Sequence, residues 1–121
     1  MFAIQISGGT PISEQLFTHI SELIISGALK ENEKLPAVRE VARELAINPN
    51  TVQKVYQLLE QKGFTYSLPG KGSYVKGRAD YQDELRQTAT EDFTEAVTKA
   101  LKKGLNAEEL INIIKNIGEK E

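Results

Sequence analysis

Asn50, Thr51, Gln53, Lys54 and Gln57 crowd into one short stretch, and none of them carries negative charge. Side chains of this kind both donate and accept hydrogen bonds, and the amides of Asn and Gln match the paired edge that adenine presents in the major groove of DNA. A helix face that merely meets solvent mixes Glu with Lys, but here no acidic residue stands between Glu44 and Glu60. Arg39 and Arg43 precede the group at a spacing of four, which sets both on one side of a helix. Arg43 could pair with Glu40, yet exposed pairs contribute only ~0–1 kcal/mol, so phosphate contact is the better reading of both arginines. Further along, Pro69-Gly70-Lys71-Gly72 sets one ammonium group among glycines that let a backbone approach a phosphate or a groove floor. A phosphate-binding P-loop is excluded, because its Lys-Ser/Thr pair must open a helix, whereas Gly72-Ser73 leads into a β-prone stretch.

The elements that position these groups follow from periodicity. Val38, Val41, Ala42 and Leu45 recur at i, i+3, i+4 and i+7, and Val52, Val55, Tyr56 and Leu59 repeat the pattern. Ala46-Ile47-Asn48 lies between them, followed by Pro49. Asn48 is a good N-cap and proline suits the first helical position, so two helices are joined by a very short turn. That is a helix-turn-helix. Gly63 stops the second helix. Phe64–Leu68 and Ser73–Lys76 then read as two strands around the glycine-rich tip, and Lys34-Leu35, held out of helix by Pro36, can add a short edge strand.

Upstream, Phe2, Ile4 and Ile6 alternate with Ala3 and Gln5, which suits either a short docked strand or a partly ordered terminus. Thr10-Pro11 predicts a helix start, with Ile12, Leu16, Ile20, Leu23 and Ile24 as its apolar stripe, Phe17 beside it and Gly27 as its stop. His19, the single histidine, has no companion ligand at metal spacing and reads as a solvated or core-edge residue.

Residues 77–80 read as a hinge. Beyond it Tyr81, Leu85, Ala89, Phe93, Ala96, Val97, Ala100 and Leu101 step at three and four up to Gly104. Asn106-Ala107-Glu108-Glu109 resembles a capping box, and Leu110, Ile113, Ile114 and Ile117 form the next stripe. Such a hairpin cannot bury both of its apolar faces alone. It either pairs with a second copy through Phe93, Val97, Leu101, Leu110, Ile114 and Ile117 or packs back on the amino-terminal domain. Pairing is the better fit, since helix-turn-helix proteins usually dimerise to match two half-sites.

The run LPAVREVARELAINPNTVQKVYQLLEQKGF followed by PGKGSYV resembles the winged helix-turn-helix of the GntR family of bacterial transcription regulators, over roughly residues 10–76. The short remainder and the opening PISEQLFTHISELIISGAL look most like its YtrA subfamily. The resemblance implies a mostly α (α+β) fold, a winged helix-turn-helix over residues 1–76 and a helical dimerisation segment over 81–121. It implies double-stranded operator DNA as partner, bound as a homodimer; the residue types and their positions give Arg39, Arg43, Asn48, Asn50, Thr51, Gln53, Lys54, Gly70, Lys71 and Gly72 as the expected contacts. Arg39 matches the family's DNA-contacting arginine in the VRE triplet. Ala37 departs from the family's usual serine, so no contact is carried to it. The subfamily further suggests a repressor of a transporter or stress operon in a bacterium of Gram-positive type.

The overall formal charge of −2 conceals an uneven distribution. From Lys34 to Arg78 eight basic residues face three acidic ones, a net of +5, while from Ala79 onward six basic face ten acidic, a net of −4. DNA responds to local potential and not to the total. With no cysteine there is no disulfide framework, thiolate nucleophile or Cys-based zinc site, which fits a reducing cytoplasm. No apolar run is long enough to span a membrane and no signal peptide is visible. The chain has no Ser–His–Asp set, second histidine or paired carboxylates, so no enzyme and no cofactor are implied. A winged helix used as a protein-docking module is the rival reading, although such a face more often exposes aromatics. Two tail helices leave little room for an effector pocket within one subunit; one at a dimer interface stays open.

Overall fold

The computed structural model describes residue 2 and residues 4–120. The described elements run α1 (Ile12–Ile25), α2 (Val38–Leu45), α3 (Pro49–Gln61), β1 (Thr65–Leu68), β2 (Gly72–Val75), α4 (Arg78–Lys102) and α5 (Ala107–Lys120). They group into two compact units, residues 1–84 and 85–121, with α4 crossing the boundary.

In the first unit each helix turns its apolar stripe inward. Leu16, Ile20 and Ile24 of α1, Val41 and Ala42 of α2, and Val52, Val55, Tyr56 and Leu59 of α3 form the core with Leu35, Phe64 and Val75. Fully burying side chains of this size contributes ~1.5–3 kcal/mol each, enough to hold the short α2 in place although Ala37 gives it no side-chain cap. β1 and β2 pair antiparallel, with Thr65 opposite Val75 and Leu68 opposite Gly72. Alternation along the strands turns Thr65 and Val75 into the core and Tyr66 and Tyr74 to the other face. The Lys34 edge strand is present as an antiparallel bridge to Tyr74.

Several sequence readings are refined. Among the described residues of the amino terminus there is no strand; Phe2 is buried, Ile4 and Ile6 are half-buried, and Met1 and Ala3 lie outside the described residues. Helix α1 begins at Ile12 with Pro11 in the capping place, because Pro11 is extended (φ −54°, ψ 139°). Thr10 supplies no side-chain cap; the Gln15 amide instead donates to the carbonyls of Thr10 and Ser7 at 2.7 and 2.8 Å. Within the span read as a hinge, residues 78–80 form the first turn of α4. Tyr81, expected on the tail, is buried in the first unit with its ring 4.9 Å from that of Phe64. Gly77 allows this junction, since the Glu31 carboxylate occupies the place a Cβ would need.

In the second unit α4 closes at Gly104 (φ 105°) and α5 opens on a reciprocal cap. Asn106 Oδ1 accepts from Glu109 N–H at 2.9 Å, and Glu109 Oε1 accepts from Asn106 N–H at 3.1 Å. This is the capping box that the sequence resembles.

Candidate nucleic-acid interface

Asn48 and Pro49 start α3 as the residue types require. Asn48 Oδ1 accepts from Asn50 N–H at 2.8 Å, and Pro49 takes the first helical position. With Val52, Val55, Tyr56 and Leu59 turned inward, the helix must present Asn50, Gln53, Lys54 and Gln57 outward, and all four are exposed. Thr51 is half-buried. Glu60, the first acid on α3, is occupied: its carboxylate accepts from Ser67 N–H at 3.1 Å and so ties the helix to β1. Arg39 in the first turn of α2 and Arg43 one turn later are both exposed, and among the described residues neither has an ion-pair partner.

The wing stands beside this surface. Its tip turns at Pro69–Lys71, closed by Lys71 N–H to Leu68 O at 2.9 Å, with Gly70 (φ 74°) and Gly72 (φ 122°) in conformations that side chains disfavour. Between wing and α3 lies an open cleft of about 400 Å³, lined among others by Lys34, Gln53, Gln57, Ser67 and Lys71. Tyr56 forms part of its floor and donates its hydroxyl to Pro36 O at 2.6 Å. Burial, with the Glu40 charge adding to it, pushes the Tyr56 phenol far above its ordinary range, so it remains a neutral donor.

Gln53, Gln57, Gly70, Lys71 and Gly72 thus meet around one cleft. Arg39, Arg43, Asn48, Asn50 and Thr51 do not line it; they sit on α2 and at the amino end of α3. Lys54 faces the other flank, in a groove shared with Pro11, Phe17 and Leu58. Lys34, which the sequence places on an edge strand but not among the expected contacts, also lines the wing cleft.

The family model for bacterial regulatory proteins of the gntR family matches residues 12–75, more than half of the chain. The chain belongs to the GntR family. Among curated relatives of this GntR regulator, the HTH-type transcriptional regulator YhcF of Bacillus subtilis is 33% identical over 116 residues, covering 95% of this chain and 96% of YhcF. The HTH-type transcriptional repressor YtrA of the same organism is 42% identical over 79 residues, 65% of this chain and 61% of YtrA. Among solved structures, a GntR family regulator from Listeria monocytogenes superposes with a TM-score of 0.77 at 28% identity, over 92% of this chain and 98% of that one. The AraR DNA-binding domain, solved in complex with its operator ORE1, gives a TM-score of 0.53 at 26% identity, over 60% of this chain and 94% of that one. The winged helix-turn-helix is therefore a DNA-binding module of a transcription regulator, and the relatives are regulators and not enzymes.

The residues assigned to pairing fall into two groups. Phe93, Leu101, Ile114 and Ile117 are 53%, 48%, 49% and 58% exposed in the single chain, whereas Val97 and Leu110 are partly covered. Leu105 and Ile111 are exposed as well, and Ile111 falls to the side of the three-four stripe. Among the described residues, no helix is long and apolar enough to cross a membrane and no group of three His, Asp or Glu side chains could hold a metal.

Proposed function

We propose that this GntR regulator is a repressor that binds an inverted-repeat operator as a homodimer, joined through α4 and α5. The observation that carries this is the uncovered tail. Phe93, Leu101, Leu105, Ile111, Ile113, Ile114 and Ile117 all remain exposed in one chain, and that chain carries among its described elements a single helix-turn-helix, which can read only one half-site. Each of these side chains is already about half covered in one chain, so covering the rest is worth roughly half of the ~1.5–3 kcal/mol that full burial contributes, and a second copy covers them by symmetry. Arg39, Arg43, Lys54 and the Gly70–Gly72 tip then hold phosphates, while Asn50, Thr51, Gln53 and Gln57 meet base edges. Asn48 contributes chiefly by capping α3, since its side-chain oxygen is engaged there. Likeness to YtrA, which is named a repressor, supports the direction of control, and the subfamily resemblance extends the proposal to a transporter or stress operon. The protein works in the cytoplasm, where bacterial operators lie.

Ile117→Asp tests the assembly cleanly, because Ile117 is 58% exposed and its replacement does not disturb the core of one chain. Sedimentation should show a dimer become a monomer, and gel shifts should show two-half-site binding replaced by weak half-site binding. A variant that stays dimeric with full affinity places the partner surface elsewhere. A docking module for proteins is disfavoured by the outer face of α3, which offers Asn50, Gln53, Lys54 and Gln57 and no aromatic ring.

A further inference from the structure

Lys34 enters the wing from outside the hairpin. Its strand is tied to β2 by Asn32 N–H to Val75 O at 2.7 Å, Val75 N–H to Glu33 O at 2.9 Å and Leu35 N–H to Ser73 O at 2.8 Å. Residues directly opposite one another share a sheet face, so Lys34, Tyr74 and Tyr66 stand side by side. That face is firm. The rings of Tyr66 and Tyr74 stack at 5.6 Å with 21° between their planes, and the Tyr66 hydroxyl donates to Asn32 Oδ1 at 2.9 Å.

From this base the Lys34 side chain runs towards the tip. Its Cε lies 3.1 Å, and its Nζ 3.9 Å, from the point where a Cβ on Gly72 would stand, so the missing side chain of Gly72 leaves the trough that the lysine fills. The nearby carboxylates are turned to other tasks. Glu33 accepts from Lys30 N–H at 3.1 Å, Glu60 accepts from Ser67 N–H, and Glu31 lies against Gly77. Among the described residues Lys34 has no ion-pair partner, and it is exposed.

We propose that Lys34 is a phosphate contact of this regulator, lining the same wing cleft as Lys71, so that two ammonium groups grip the DNA backbone along the wing; this rests on the DNA-binding reading above. A cation already laid along a rigid face loses less side-chain freedom on binding than a lysine that sweeps through solvent. Its contribution is independent of sequence and falls with salt, because each neutralised phosphate releases condensed counterions.

The test uses the full chain and its Lys34→Ala, Lys34→Gln, Lys34→Arg and Lys30→Ala variants, with thermal unfolding to confirm that each folds. Each is titrated over a salt series against mixed-sequence duplex DNA and against a duplex the protein selects from a random pool. Lys34→Ala should weaken both complexes by a similar factor, roughly 3–10-fold, and flatten the slope of log affinity against log salt by about one. Lys34→Gln, which keeps the stem and loses the charge, should flatten it equally. Lys34→Arg and Lys30→Ala should keep the wild-type slope. An unchanged slope in Lys34→Ala, or a loss confined to particular base pairs, overturns the proposal. Wild-type protein whose affinity ignores salt would instead overturn the DNA-binding reading itself.

Discussion

The Tyr56 hydroxyl donates to the Pro36 carbonyl oxygen at 2.6 Å, fastening α3 to the residue that leads into α2. Helix α2 begins without a side-chain cap, and this buried phenol, 6% exposed, adds a tie between α3 and the segment that leads into α2. The tie joins residues twenty positions apart.

Tyr56→Phe keeps the ring and removes the donor. It should lower stability by ~1–2 kcal/mol at neutral pH, read from denaturant midpoints. The raised phenol pKa has its own consequence: the folded state keeps the proton to a higher pH than the unfolded chain does. This stabilisation is fully present below the pH at which a free tyrosine ionises, ~10, and is lost as pH rises from there towards the folded value. The stability gap between wild type and Tyr56→Phe should therefore narrow in strong alkali. A constant gap would mean that the burial of Tyr56 does not govern its ionisation.

Ala46 ends α2 in the left-handed region (φ 56°, ψ 46°), where a Cβ costs roughly 1–2 kcal/mol. Ala46→Gly relieves that strain and gives back part of it in unfolded-chain entropy. A net gain of ~0.5–1 kcal/mol is expected, with operator affinity unchanged. A loss of stability would show that the methyl group contributes packing that outweighs the strain.

Two glycines separate strain from crowding. Gly63 (φ 84°) and Gly104 (φ 105°) are both left-handed, but a Cβ at Gly63 would sit 2.9 Å from the Asp80 carbonyl oxygen, whereas one at Gly104 would meet nothing within 4 Å. Gly104→Ala should cost ~1–2 kcal/mol. Gly63→Ala must cost more, because the start of α4 has to move. Equal melting shifts for the pair would remove the crowding argument.

Arg39→Ala should weaken all operator variants to a similar extent by losing a phosphate contact. Gln53→Ala should relax preference at one base pair, by ~1–3 kcal/mol if the amide is bidentate. Binding of both variants to the full set of single-base operator changes decides it; identical profiles would mean the roles are wrongly divided.

Tyr81 fixes where the chain can be cut. A protein ending at Glu84 keeps Tyr81 against Phe64 and the Lys62–Glu84 ion pair at 3.0 Å, and should fold as a monomer. One ending at Arg78 exposes Phe64 and should melt much lower, as should Tyr81→Ala, for which a loss of ~3–5 kcal/mol is expected by analogy with Phe→Ala. Circular dichroism melts of the two truncations would settle whether these turns belong to the reader's core.

Much of the molecule is decided by interactions close in sequence. The i, i+3, i+4 stripes of α1, α2 and α3, the Asn48 cap, the Asn106–Glu109 box and the stops at Gly27, Gly63 and Gly104 each depend on neighbours within about one helical turn. Their chemistry is visible in the residue types alone. So are the strands around a glycine tip and the acid-free run from Asn50 to Gln57, and with them the family.

Only the tertiary structure decided which side of each element meets which other element. The three-four spacing of Tyr81 with Leu85 fits a tail helix as well as a core contact, and contact with Phe64 makes the choice. Gln53 and Lys54 are adjacent in the chain, yet one lines the wing cleft and the other the α1 groove. Lys34 reads from the sequence as an edge-strand residue, but only its bridge to Tyr74 shows that its side chain runs over Gly72. Spacing along a chain specifies a face of a helix or strand, whereas what that face touches is set by the mutual packing of segments distant in sequence.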